Sequence, residues 1–561
     1  MAGETFPTKA GEVMVQNAQH GNGCDRWDEA FDVVVVGYGY AGAVAAIEAH
    51  DAGSKVLLIE KMPDPGGISI CSGGNVRTAE DADQAFDYLK ITCAGTTPDD
   101  VLRVLAEGMT EVPAYFERLA QVSGATIDWR QASGNYPFPG IDTFGYISIG
   151  SVPDFDPAEC YPHVSSYLPI HRAAGVRLFK VIEDNLARRE VAIWLEAKAE
   201  RLLRGPDGEI GGLVIATRDG EKRVKVAHGV ILACGGFEAD AEMQHQFWPE
   251  KPVLLAAFLG STGDGIRMAQ AVGADLWHMW NYHGTYGFKH PDPDYPYGIR
   301  SKRLPDWIPG RPPRDDVKMP WIVIDQVGRR YMNEYPPYMQ DTAHRAMAEF
   351  DTLTQSYQRI PSYIVLDDDA RGTYPLCSPT FNDRSMSFEY GDEALRALED
   401  RIVFQADSIA ELARRLGAEA AVLHATLERW NTLCDAGEDA DFGRPSPSMM
   451  KIAKPPFHYA EVWPICSNTH GGPVHNAEQQ IVDVFGQPIP RLYAAGEMGG
   501  VFGHLYVAGG NMAECFIGGW IAGRHAAGLE PSGVSVVEPS VPGREKQVLR
   551  ERRPARRVTR A

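Results

Sequence analysis

The chain has 561 residues, enough for roughly three domains, and 44% of them are hydrophobic against 23% charged, with 57 Gly and 39 Pro spread along it. That composition excludes a disulfide-stapled miniature and a disordered chain, and the net charge of −21 repels a phosphate backbone, so no nucleic-acid partner is expected. Nine cysteines without a single CxxC point to a reducing compartment and away from thiolate zinc or iron–sulfur sites.

Residues 1–29 form an extension carrying Lys9, Glu12, Asp25, Asp28 and Glu29, with no apolar run suited to a signal peptide, which makes the cytoplasm the expected location. The longest apolar stretch, Val33 to Ile47, is shorter than a bilayer span and is interrupted by glycines, so no membrane span is expected.

From Phe31 the chain reads as a buried strand, a glycine turn, an Ala-rich helix and a second strand ending at Glu60, which is a βαβ unit. Gly37 permits the tight turn, Gly39 lets backbone approach a pyrophosphate at the helix N-terminus, and Gly42 lets helix and strand pack closely. Glu60 is placed to accept hydrogen bonds from a ribose. The loop Gly66 to Gly74, GGISICSGG, follows at once and offers backbone and small hydroxyls along a flavin and its phosphates.

With VILACGGFEAD at Val230, STGDGIRMA at Ser261, GGPVHNAEQQIVDVFGQPIPRLYAAGE at Gly471 and GGNMAECFIGGWIAGRHAA at Gly509, the chain resembles the flavoprotein superfamily of fumarate reductase, succinate dehydrogenase and the 3-ketosteroid dehydrogenases over residues 31–528. The resemblance implies an α/β fold: a Rossmann-like FAD-binding domain assembled from residues 30–238 and 459–528, with an inserted α+β capping domain at 239–458 that binds substrate, and a tail at 529–561. It implies FAD held by Gly37, Gly39, Ala41, Gly42, Glu60, Lys61, Gly66, Gly67, Ser69, Ser72, Gly73 and Gly74 near the N-terminus. Farther on it implies Ala199, Gly235, Asp264, Glu497, Asn511 and Met512, the last helix pointing its N-terminus at the flavin's pyrimidine edge. Members with covalent flavin carry a histidine in the glycine loop; Ile68 to Cys71 offer none, so the FAD is expected to be non-covalent, and Cys71 reads as a buried space-filler.

In the insertion, Trp277 to Tyr297 is rich in aromatics and interrupted by Gly and Pro, which predicts a loop that either walls a greasy pocket or packs between lobes. Ser408 to Leu433 has helical apolar spacing and no chemistry, and the basic tail from Gly543 reads as a solvated end.

Fumarate reductases clamp a dicarboxylate with arginines, one four residues after an NE dipeptide and one in the stretch before the last helix. Here Tyr338 stands at the first position, in NEYPPY, and Tyr506 in YVAGG replaces the second. Both departures are similar to the 3-ketosteroid dehydrogenases, with their NExxPY and YxxxG motifs. That resemblance gives Tyr338 the proton from the carbon beside the ketone, and gives the Tyr506 hydroxyl and Gly510 N–H the ketone oxygen. No helper for the weakly basic tyrosine is visible. His504, His470 and Tyr136 are lesser candidates for the pocket.

The expected activity is an FAD-dependent oxidoreductase acting on CH–CH groups, dehydrogenating the carbons next to a ring ketone, with a hydrophobic ketone, steroid-like or smaller, as substrate and an external electron acceptor. YVAGG differs from the YPGAG of Δ1 enzymes, leaving the ring position open. The alternative is a fumarate-reductase-like reductase of an enone or unsaturated acid. A third reading has FAD bound only for structure.

Overall fold

The computed structural model describes residues 26–165, 174–256, 258–301, 318–386 and 391–529; the basic tail and the extension before Arg26 lie outside them. The first strand, Glu29–Val36, is parallel to Val56–Ile59 on one side and to Gly220–Leu232 on the other, with Val33 opposite Val56 and Val34 opposite Val230. Pro488–Ala494, from near the C-terminus, adds in parallel to Gly220–Leu232, so both ends of the chain share one eight-stranded sheet. Strands buried on both faces need continuous apolar runs, which FDVVVV and GVIL supply.

The helix Tyr40–Asp51 lies under this sheet, and the last helix, Gly510–Ala526, packs along it. The approach is close because the facing positions carry no side chain: a Cβ on Gly519 would stand 2.7 Å from the Ala41 carbonyl oxygen, and one on Gly523 2.4 Å from that of Ala45. Gly42 permits the corresponding approach to the strand turn, since its Cβ would meet the Gly37 oxygen at 1.9 Å.

A second eight-stranded sheet is built around the long strand Phe457–Thr469, which pairs antiparallel with Ser362–Asp367 and Tyr282–Lys289. The expected boundary at residue 459 falls inside this strand. The expected loop Trp277 to Tyr297 is corrected here, for Tyr282–Lys289 is a central strand of that sheet. Gly284 and Gly287, which look like breakers, sit where a Cβ would press on the carbonyl oxygens of Ile465 at 2.3 Å and Ile299 at 2.5 Å. They let neighbouring strands close up. The helical stretch from Ser408 is two helices, Ile409–Leu416 capped by the Ser408 hydroxyl and Ala420–Ala436, separated at Gly417, whose φ of +68° ends the first. No helix among the described residues is long and apolar enough to cross a membrane.

Candidate active site and cofactor cradle

A long cavity runs between the two sheets, and its walls come from both chain ends and from the insertion. At one end it meets the N-terminus of Tyr40–Asp51, where Gly37, Gly39 and Ala41 line it, the N-cap Gly39 has no side chain, and the Ser69 hydroxyl accepts from the Tyr40 N–H at 3.3 Å. Gly37 holds a φ of +105°, which favours glycine, and a Cβ there would collide with the Ala233 oxygen at 2.4 Å. Glu60, Lys61 and Ala199 line the next stretch with Asp264. Lys61 donates to Asp264 at 2.6 Å and to the Thr262 hydroxyl at 2.6 Å, while the Glu60 carboxylate accepts from the N–H groups of Tyr38 at 3.0 Å and Met62 at 2.9 Å. Burial raises the Glu60 pKa, and those N–H groups oppose the rise.

Gly67, Ser69, Ser72, Gly73 and Gly235 continue the wall, and Glu497, Asn511 and Met512 close it beside the N-terminus of the last helix, whose N-cap is Gly509. Two helix N-termini that begin at glycine, joined by one glycine-lined trough, suit a group with phosphate at one end and electron-accepting ring edge at the other. The residues present fit FAD. Gly42, Gly66 and Gly74 do not line the cavity: Gly42 acts through helix–strand packing, and Gly66 donates its N–H to the Tyr38 carbonyl to shape the loop. Cys71 lines the trough as a buried thiol with its pKa pushed up by burial.

The tyrosine pair is brought together. Tyr338 and Tyr506 both line the cavity, both are buried, and their ring centroids lie 5.9 Å apart. Asn333 and Glu334 of the NExxPY motif stay out of the cavity and build the turn. The Asn333 oxygen accepts from the Tyr335 N–H at 2.8 Å, and fully buried Glu334 is held by Arg330 and Arg444. Asp341, buried three residues after Tyr338, accepts from the Tyr506 N–H at 2.9 Å and from the Tyr136 hydroxyl. One carboxylate thereby ties the Tyr506 segment to the turn that presents Tyr338. Tyr136 spends its hydroxyl there, outside the cavity lining.

Gly510 is the one residue of the expected trio that the structure does not bring to the cavity. Its N–H donates to the Val507 carbonyl at 2.8 Å, because it is the first residue of the last helix and closes the preceding turn. The N–H of Gly509 donates to the Tyr506 hydroxyl oxygen at 2.8 Å. Burial raises the Tyr506 pKa, so this phenol stays protonated as a hydrogen-bond donor.

Neither minor histidine lines the cavity. His470 is buried with its pKa driven down by burial, packing 5.8 Å from the Tyr506 ring, and His504 is half-buried against Arg345, its pKa lowered by burial and by that guanidinium. The structure adds residues that sequence reasoning missed. His283, Arg300, Asn468 and Gln340 line the cavity with the tyrosines, and the His283 ring lies 4.4 Å from that of Tyr506. Arg300, buried on the strand Gly298–Ser301, lines a cavity whose two expected arginine positions hold tyrosine.

Residues 32–512 match the FAD binding domain family. The chain is 29% identical to digoxin reductase of Eggerthella lenta, covering 94% of this chain and 93% of that one. It is 25% identical to 3-oxosteroid 1-dehydrogenase of Mycobacterium tuberculosis, covering 89% and 98%. An NADH:fumarate oxidoreductase of Klebsiella pneumoniae is 27% identical over 90% of this chain, which spans 48% of that longer protein. In three dimensions, 3-ketosteroid Δ1-dehydrogenase from Sterolibacterium denitrificans superposes with a TM-score of 0.73 at 23% identity, over 89% of this chain and 100% of the other. With a cradle of glycine turns and helix N-termini that fits the cofactor, the chain belongs to the FAD binding domain family and is an FAD-dependent oxidoreductase of the group that holds the fumarate reductases and 3-ketosteroid dehydrogenases.

Proposed function

We propose that the protein dehydrogenates the carbons beside a ring ketone, with a hydrophobic ketone as substrate and an external electron acceptor. The observation that carries this reading is that Tyr338 and Tyr506 line one cavity with their rings 5.9 Å apart, the Tyr506 N–H held by Asp341 three residues after Tyr338. FAD, held non-covalently, supplies the hydride acceptor when bound. Tyr506, kept protonated by burial and turned by the Gly509 N–H, donates to the ketone oxygen and stabilises the developing enolate. Tyr338 takes the proton from the adjacent carbon. Gly510 has no part in this scheme, because its N–H is held by Val507.

The test is anaerobic mixing with 4-androstene-3,17-dione, 5α-androstane-3,17-dione, simple cyclohexanones and succinate, following the flavin band near about 450 nm. Bleaching by a ketone supports the reading, and the ketone that works assigns the ring position. A second reading, reduction of an enone or unsaturated acid, is favoured by Arg300, whose guanidinium suits a carboxylate. No bleaching by any ketone, with an enone or enoate reoxidising dithionite-reduced flavin, would establish that reading instead.

A further inference from the structure

We infer that His283 is the positioning residue that draws the phenolic proton from Tyr338, held for this by Asn468. The inference rests on the ketone-dehydrogenase reading, and it supplies the helper that a tyrosine base requires. The Tyr338 hydroxyl lies 3.5 Å from His283 Nε2, and His283 Nδ1 lies 3.0 Å from Asn468 Oδ1.

The orientation of Asn468 decides which ring nitrogen carries the proton. Its Nδ2 donates to the Thr469 carbonyl at 3.2 Å, and a carbonyl can only accept. Its Oδ1 therefore faces the other way, where it also accepts from Asn511 Nδ2 at 2.8 Å. An oxygen opposite Nδ1 demands Nδ1–H, and in neutral imidazole that leaves Nε2 as the acceptor, on the side of Tyr338. The arrangement is built into the sheet, because His283 and Asn468 are register partners on adjacent antiparallel strands and the Tyr506 ring packs against the imidazole, tilted by 46°.

A phenol with pKa near about 10 is a poor base at neutral pH, whereas an imidazole near about 6.5 is a good one. In the balanced step, the carbon beside the ketone gives its proton to Tyr338 Oη as the phenolic proton passes to His283 Nε2. When bound, FAD would supply the acceptor for hydride from the neighbouring carbon; the electrons of the first C–H bond then form the C=C bond, and the imidazolium releases its proton to solvent at product release.

His283→Gln keeps an acceptor toward Tyr338 and removes the basic nitrogen. In the FAD-loaded variant, with the most rapidly oxidised ketone of the panel above, the limiting rate of flavin reduction falls about 100-fold while the substrate Kd stays within about threefold. A rate loss below about tenfold, or a loss expressed in Kd, overturns the inference. A second measurement does not depend on turnover. In holoprotein carrying 15N-histidine, the His283 signals, assigned by their loss in His283→Gln or His283→Asn, show the Nδ1–H tautomer, and the Nε2 resonance moves in Tyr338→Phe. An Nε2–H tautomer overturns the inference whatever the kinetics. Absence of bleaching by every ketone in the wild type defeats the functional reading and the inference with it, whereas an Nε2–H tautomer in a protein that a ketone does bleach defeats the role of His283 alone.

Discussion

Glu514 lies on the last helix behind the cavity, buried, with one carboxylate oxygen accepting from the Val501 N–H at 2.8 Å. Burial is the main cause that pushes its pKa up to about 8, and repulsion from Glu497 adds to it against the Val501 hydrogen bond. The unfolded chain releases this proton near the ordinary value of 4.5. Between those values the folded protein binds more protons than the unfolded one, so its stability is full below 4.5 and falls as pH rises through about 8. At 1.36 kcal/mol per pKa unit, the loss between pH 5 and pH 8 is about 3 to 4 kcal/mol. Glu514→Gln retains an oxygen for the Val501 N–H and has nothing to titrate. Urea unfolding of both proteins at one fixed FAD concentration should give a stability difference in favour of the variant that grows by that amount from pH 5 to pH 8. Two parallel stability profiles would refute the assignment of a buried neutral carboxyl.

Tyr338→Phe should keep FAD-loaded, yellow protein and lower the rate of flavin reduction by about 100-fold, and an unchanged rate would take Tyr338 out of the chemistry. Glu60→Ala removes the acceptor of the Tyr38 and Met62 N–H groups as well as the proposed ribose contact, so FAD affinity, titrated by flavin fluorescence, should fall at least about tenfold. Gly42→Ala drives a Cβ to 1.9 Å from the Gly37 oxygen, and the variant should purify without FAD or fail to fold. Gly372→Ala, whose Cβ meets only the Asp369 oxygen at 3.7 Å, should load FAD normally and serves as its control.

The N-terminal βαβ unit was legible because its determinants are local. An apolar run, a glycine turn and an Ala-rich helix specify one another within about thirty residues. The tyrosine pair was legible only through family motifs, since nothing in NEYPPY or YVAGG by itself distinguishes a working phenol from a packed one. The strand Tyr282–Lys289 was misread because Gly284 and Gly287 have the composition of a loop, and their reason, close carbonyls on Ile465 and Ile299, belongs to other strands. Gly510 was misplaced for a related reason, since the helix start commits its N–H to Val507.

The sequence by itself determined the cofactor class, the N-terminal βαβ unit and the replacement of two expected arginines by tyrosines. Only the tertiary structure decided what surrounds those tyrosines: Asp341 beneath both segments, Arg300 in the wall, and His283 fixed by Asn468 from a strand 185 residues away. The physical reason is that proton affinity and tautomer depend on partners at hydrogen-bonding distance. Here the pairing of distant strands sets those distances, and no local pattern encodes them.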